Sequence, residues 1–400
     1  MGGSSMTISA GTVILTATER VIFGQPAAEA LAAEAALLGA NRVMLITSAS
    51  LRESTDEISR IEAALGARHA ATFSGVAPHG PRTDVISATE MARDCKADLI
   101  VSVGGGSVTD CAKIVPICLS NDIRTAADMG RLHIQVNAEG QLINPTALPE
   151  FRPQSIRTIC VPTTLSGGEF NPLSGATDRE TGHKQGYEHR LMAPVSIILD
   201  PAMTQHTPEW LWFSTGVRAL DHAIETLQSF RSNDYCDGLA ESALRLLIEG
   251  LSRVKADPQD LDARLKCQIG VWQSMLPIIG GVPMGASHAI GHVLGGLCDV
   301  PHGYTSCVMS PFVLRWNAEV NGERQKRISA AFGAPGTPAG DLACAFITSL
   351  GMPRSLSAVG VTPERFATIA DYTMQDIWGR TNPREITGPE DFIRILETAA

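Results

Sequence analysis

The pattern of apolar positions divides this 400-residue chain near Asp200. Ahead of that point short apolar runs alternate with stretches of helical spacing. RVMLITS (42–48), ADLIVSVGGGS (97–107), SIRTICVPTT (155–164) and VSIILDP (195–201) read as strands, the second running into a glycine-rich turn. Residues 53–66 carry apolar positions at helical spacing, and DCAKIVPI continues the glycine-rich turn as a helix. Short strands alternating with helices predict a parallel, doubly wound α/β sheet. From about residue 208 the periodicity becomes that of long helices, as in DGLAESALRLLIEGLSRV and ERQKRISAAFG, with few strand candidates. The expected organisation is an α/β domain over 1–200 and an all-α domain over 201–400. No repeat of fixed period is present.

Composition narrows the class. The chain is 44% hydrophobic and 18% charged, as expected for a compact folded protein. No apolar run reaches the roughly 18 residues of a membrane helix. A net charge of −10 without a Lys/Arg cluster argues against a nucleic-acid partner. Nine cysteines without a CxxC pair read as reduced thiols of a cytoplasmic protein. The start MGGSSMTIS lacks the basic and apolar regions of a signal peptide and reads as an added leader before Met6.

Two loops carry candidate chemistry at strand ends. GGGSVTDCAK follows a strand and opens a helix, so glycines and first-turn N–H groups together form an anion site. Its spacing is neither GxGxxG nor that of a P-loop. CVPTTLSGGEFNPLSGATD repeats the strand-then-glycine-loop logic about sixty residues on, and two such loops would bracket one ligand. Either loop is also compatible with a turn that binds nothing.

The helical half supplies imidazoles. In GVRALDHAIET, Arg218 and His222 fall one helical turn apart on one face. In MGASHAIGHVLGGLCDVPHGYTS, His288 and His292 are spaced i, i+4, and His302 follows a proline in an expected loop. Singly, each histidine fits a hydrogen-bonded core residue. As a set they suggest a site.

VSVGGGSVTDCAK, VPTTLSGGEFNPLSGATD, LDPAMT, STGVRALDHAIE and SHAIGHVLGG followed by PHG, taken in that order, resemble the iron-containing (group III) alcohol dehydrogenases. The resemblance implies a dehydroquinate synthase-like architecture: an NAD(P)-binding α/β domain, a helical domain with the catalytic histidines, and a cleft between them. It places Gly105, Gly106, Ser107, Asp110, Thr163, Thr164 and Lys184 against NAD(P). Ser48 stands where NAD-specific relatives carry an acid, so either dinucleotide is admissible. The family's metal ligands, an Asp and a His one turn apart and two further His, map to Arg218, His222, His288 and His302, with His292 beside the nicotinamide.

Three ligand positions match and the fourth does not. A guanidinium cannot ligate a cation and repels it. Asp221 lies about 100° around the helix from His222, so its carboxylate is expected to point away. The maleylacetate reductase branch resembles this chain in having a non-acidic first position and in the form of the PTT loop, though Asn is usual where Arg218 stands. The expected function is therefore an NAD(P)H-dependent, metal-independent reductase of a small anionic oxo or enone compound. Arg218 would act as electrophile, and one histidine as a general acid near its natural pKa. Alternatives are a metal-dependent alcohol dehydrogenase with His222, His288 and His302 as ligands, a lyase of the dehydroquinate synthase type, and a non-catalytic NAD-binding protein. Arg218 in an ion pair with Asp221 or Glu225 is the structural alternative. Family resemblance further implies a homodimer.

Overall fold

The computed structural model describes residues 11–136, 142–143, 152–179, 182 and 184–400. Ten strands are present in these: β1 (Arg20–Phe23), β2 (Val43–Thr47), β3 (His69–Phe73), β4 (Leu99–Gly104), β5 (Gln135–Val136), β6 (Leu142–Ile143), β7 (Arg157–Pro162), β8 (Leu173–Thr177), β9 (Lys184–Glu188) and β10 (Ser196–Leu199). Six of them form a parallel sheet in the order β1-β10-β7-β4-β2-β3. Every residue of VMLIT in β2 and LIVSVG in β4 is buried, as continuous apolar runs in a sheet covered on both faces must be. The helices of this half are α1 (Ala27–Leu37), α2 (Ala49–Ser54), α3 (Glu57–Leu65), α4 (Arg82–Asp94) and α5 (Gly106–Ser120).

The chain leaves β2 toward β3 on one side and leaves β4 toward β7 on the other. β2 and β4 are neighbours, with Thr47 opposite Val103. The order therefore reverses between them, and a crevice opens at their carboxyl ends, where Ser48 and the glycine turn stand.

Three features depart from the sequence expectation. The helix expected over 53–66 is broken into α2 and α3, because the Thr55 hydroxyl bonds back to the Leu51 carbonyl and accepts the Glu57 N–H. Strands β1 and β3 are half-buried edge strands, so neither carries the uniformly buried apolar run that marks β2 and β10. The antiparallel pairing of β8 and β9 is absent from the sequence expectation, β8 lying within the stretch that reads as a glycine-rich loop and β9 beyond it.

Beyond β10 the described chain is helical: α6 (Glu209–Gln228), α7 (Asp234–Ala256), α8 (Leu261–Ile279), α9 (Ala286–Cys298), α10 (His302–Ala331), α11 (Ala339–Ser349), α12 (Phe366–Thr373) and α13 (Pro389–Thr398). No helix among the described residues is long and apolar enough to cross a membrane. α6 is the axis of this half, buried continuously from Trp212 to Gln228. It packs with Ile197 and Leu199 of β10 and with Leu244, Leu247 and Leu251 of α7 in one apolar cluster.

Two glycines permit the close approaches that set the site. A Cβ on Gly216 would stand 2.6 Å from Leu251 Cδ2 and 3.1 Å from Leu165 Cδ1. One on Gly303 would stand 2.7 Å from the Ser214 backbone, so the start of α10 lies directly against α6. Adding a methyl at such contacts costs about 1–3 kcal/mol.

Candidate active site

The candidate site has two parts, the glycine turn with its neighbouring loop and the four imidazoles. At the first, Gly105 is the N-cap of α5 and no side chain caps the helix, which leaves first-turn N–H groups and the positive end of the dipole facing the crevice. The second loop lies directly beside it. The Thr163 N–H donates to the Gly104 carbonyl at 3.1 Å, and a Cβ on Gly105 would sit 3.0 Å from Thr164 Cγ2. A side chain there would require Thr164 to give way by a few tenths of an ångström. The Thr164 and Ser166 hydroxyls are 3.1 Å apart, and the Ser107 hydroxyl accepts the His79 N–H. Lys184 on β9 reaches across to Asp110 on α5, Nζ to Oδ2 2.9 Å. Ser48 caps α2 by accepting the Leu51 N–H. The eight positions singled out for cofactor contact thus lie on β2, β4 and β7 ends, α5 and the β8–β9 hairpin, with no acidic group at Ser48.

The same loop joins the two parts of the site, since the Leu165 N–H donates to Thr215 Oγ1 on α6. One turn further along α6 come Arg218 and His222, 7% and 5% exposed. The His222 ring stacks on that of His288 from α9, centroids 4.8 Å apart. His292, one turn along α9, stacks on His302 at 6.0 Å with the rings nearly parallel. Trp378 lies against both α9 imidazoles, 5.8 Å from His288 and 5.0 Å from His292. The four histidines therefore form a continuous wall, with His222 and His288 at its buried floor and His292 and His302 toward the open mouth.

His288 is fixed from behind. Its Nδ1 is 2.7 Å from Glu225 Oε2, and Glu225 also accepts the N–H groups of Gly285 and Ser287 at the start of α9. That carboxylate on a helix N-terminus ties α9 to α6. Asp221 accepts from Ser287 Oγ at 2.7 Å and lies 3.5 Å from His288 Nδ1. It faces the back of His288, away from the cleft, as its place on the helix predicts.

Asp221, Glu225 and His288 bring three ligand-type atoms within 4.8 Å of one another. They form a hydrogen-bonded cluster instead of a metal cage. Ligands of a tetrahedral ion bonded at about 2.0–2.1 Å stand roughly 3.3 Å apart, and the Nδ1 to Oε2 separation is well inside that.

Arg218 makes no ion pair with either acid. Its Nη1 is buried without a hydrogen-bond partner, as are His222 Nδ1 and His288 Nε2. The ion-pair alternative raised by the sequence is thereby excluded. Burial lowers the guanidinium to about 10, against the pull of Asp221 and Glu225, so it stays charged at neutral pH. Its charge is the first cause holding the His302 imidazole well below its usual value, ahead of lost hydration, which accords with His302 lying at the cleft mouth. Burial and then Arg218 hold His288 down to about 3, while burial, His288 and Arg218 hold His222 low. Burial also raises Glu225 to about 7. His222, His288 and His302 are therefore held in the neutral form at pH 7.

His302 is corrected in its setting. It is the first residue of α10, not part of a loop, because Pro301 supplies the fixed φ at the N-cap and Gly303 lets the helix start against α6. Sequence reasoning missed Asp376 and Trp378 altogether. Asp376 Oδ2 is 2.9 Å from His292 Nδ1 across 84 positions of sequence, and nothing in TMQDIWGR marks either residue as part of a site.

The sequence model described as "Iron-containing alcohol dehydrogenase" matches residues 18–201, and that described as "Fe-containing alcohol dehydrogenase family, C-terminal" matches residues 212–400. The chain is 33% identical to Dehydrogenase FUM7 of Gibberella moniliformis, over 95% of this chain and 96% of that protein. It is 30% identical to Maleylacetate reductase 2 of Cupriavidus pinatubonensis, over 95% and 94%. The crystal structure of maleylacetate reductase from Agrobacterium tumefaciens superposes with a TM-score of 0.80 at 26% identity, covering 98% of each chain. An uncapped glycine turn at a sheet switch point, a histidine wall across the cleft and these matches over both halves have one reading: the chain belongs to the iron-containing alcohol dehydrogenase family, near its maleylacetate reductase branch, and is an NAD(P)-dependent oxidoreductase.

Proposed function

We propose that this oxidoreductase reduces a small anionic oxo or enone compound without a metal ion, Arg218 standing in for the cation. The observation that carries this reading is the buried Arg218 Nη1 with no protein partner, beside the unpartnered His222 Nδ1 and His288 Nε2. Buried polar atoms in folded proteins are nearly always paired, so such a group calls for a ligand. A guanidinium donates in a planar fork and suits a carboxylate or an oxyanion. A second copy of positive charge does not suit it. A divalent ion about 5 Å from a guanidinium meets roughly 6–7 kcal/mol of repulsion at an effective dielectric near 20. The donor set at the histidine wall thus fits an anion and disfavours a metal.

NAD(P)H supplies a hydride when bound, and Gly105, Gly106, Ser107, Asp110, Thr163, Thr164 and Lys184 are the residues proposed to hold it, with Ser48 admitting either dinucleotide. The rest falls to this chain. Arg218 stabilises the negative charge that develops on the substrate oxygen, preorganised in a site it need not reorganise. His222 and His302 are held neutral and can each offer one N–H without adding charge, whereas His288, whose Nδ1–H is taken by Glu225, turns the lone pair of Nε2 toward the site. His292 faces the cleft with its Nδ1 committed to Asp376, a geometry suited to proton delivery from its other nitrogen. We also infer an α/β domain to about residue 200, a helical domain beyond it, and a homodimer by family resemblance.

Chelation tests the metal reading. Activity with NADH or NADPH on a panel of oxo-acids should survive exhaustive treatment with a chelator, and Arg218→Asp should bind zinc or iron more tightly and turn over only with added metal. An enzyme purified with stoichiometric metal that loses activity on chelation and regains it on metal addition is instead a metal-dependent alcohol dehydrogenase.

A further inference from the structure

Lys113 lies two turns into α5 from the glycine turn and has no exposed surface. Each of its three ammonium hydrogens has an acceptor: the Gly168 carbonyl at 2.7 Å, Asn171 Oδ1 at 3.1 Å and the Leu173 carbonyl at 2.6 Å. All three belong to one stretch, which continues the Thr163–Ser166 turn beside the glycines. The Asn171 side chain also accepts the Leu173 N–H, so it holds the stretch to itself as well as to the lysine.

A buried ammonium is a poor way to gain stability. Burial disfavours the charge here, and the nearby Asp110 and Glu169 only partly offset that. An apolar side chain of similar volume would generally serve the fold as well or better. What an ammonium does that a hydrocarbon cannot is bind three oxygens at fixed directions. The other side of the loop is seated on α8: a Cβ on Gly167 would meet Met275 at 2.9 Å, and Phe170 stacks on Trp272. The loop is thus gripped from the helical half by packing, and from the α/β half by the Thr163 N–H to Gly104 bond at its start and by the Lys113 ammonium further along.

We infer that Lys113 is a positioning residue, an internal ammonium brace that holds the 163–173 loop to α5 and so sets the groove between Thr163–Ser166 and the Gly105–Ser107 turn. The inference rests on that groove being the dinucleotide site. Without the brace the loop stays on α8 and its hydroxyls lose their register against the turn.

The test is Lys113→Ala in the full chain, with NADH and NADPH binding followed by fluorescence. Cofactor Kd and KM should rise at least tenfold while kcat at saturating cofactor changes far less. The deletion leaves a space lined by three oxygens, so methylammonium or ethylammonium should restore affinity and tetramethylammonium, which has no N–H, should not. A folded variant with unchanged cofactor affinity, or a loss that no alkylammonium repairs, overturns the brace. Should Lys113→Ala fail to fold, Asn171→Leu removes one acceptor and should still raise Kd severalfold; unchanged affinity there overturns it equally. Gly106→Val separates the two levels. It places a side chain in the proposed phosphate turn, and unchanged binding in that folded variant would show the groove itself misassigned, whatever Lys113 does.

Discussion

Burial holds the Arg218 guanidinium at about 10, against 12.5 for a free side chain, and no acceptor compensates its Nη1. Because the folded value is the lower one, the fold disfavours the charged form, and the cost is fully present at every pH below about 10. At about 1.4 kcal/mol per pH unit this amounts to roughly 3 kcal/mol. Arg218→Met removes the charge and keeps most of the volume. Part of the gain is lost again, since Asp221 and Glu225 no longer feel a nearby cation, so a net stabilisation of about 1–3 kcal/mol is expected. Activity should move the other way. Losing an oxyanion-stabilising donor typically costs about 3–4 kcal/mol of transition-state stabilisation, or 10²–10³ in kcat. The assay pairs urea unfolding of the wild type and the variant at pH 7.5 with steady-state kinetics on an oxo-acid. A more stable, nearly inactive protein is the signature of a site residue held at the expense of the fold. A variant that is less stable and equally active would refute the reasoning, since it would show Arg218 to be structural support.

Two further outcomes follow from groups outside the arginine. Glu169 is buried and raised to about 7 from an ordinary 4.5, so the folded protein binds its proton more tightly than the unfolded chain. Stability should fall as pH rises from about 4.5 to 7 and stay reduced above, and Glu169→Gln should gain about 2–3 kcal/mol at pH 8 but little below pH 5, read by urea midpoints across that range; a pH-independent difference would contradict the buried acid. Asp376→Asn replaces the acceptor that fixes the His292 ring and should lower kcat by about 10² with cofactor Kd unchanged; wild-type kcat would remove His292 from proton delivery.

How much of this was legible in the sequence depends on where the chemistry sits along the chain. The placement of the glycine turn, the PTT loop and the α9 pair was readable because each is a contiguous stretch, and a strand running into a glycine-rich helix start has a local signature. The parallel sheet was readable because β2 and β4 are buried on both faces and therefore uniformly apolar. β1 and β3 gave no such signal at the sheet edges. Asp376, Trp378 and the Lys113 acceptors were not readable at all, since each meets its partner across 55 or more positions and the segments that carry them look like ordinary loop or helix.

Arg218 is the intermediate case. Sequence spacing alone puts it one turn from His222 and within reach of Asp221 and Glu225, so an ion pair and a free guanidinium fit equally well. The structure separates them through the backing of α9. Glu225 is used by the Gly285 and Ser287 N–H groups and by His288, and one Asp221 oxygen by Ser287, so both acids are engaged with the helix they anchor and neither forms a close ion pair with the arginine. The same contacts that orient His288 therefore leave Arg218 unpaired. In a site with an aspartate at position 218, that backing would present His288 Nε2 to a cation; with arginine there, it presents an acceptor-free cation and neutral imidazoles to an anion. On the function proposed above, one side chain inverts the charge preference of the site while the scaffold behind it is unchanged, and for that reason Arg218→Asp, not a change in any histidine, is the substitution expected to give a site that binds a metal.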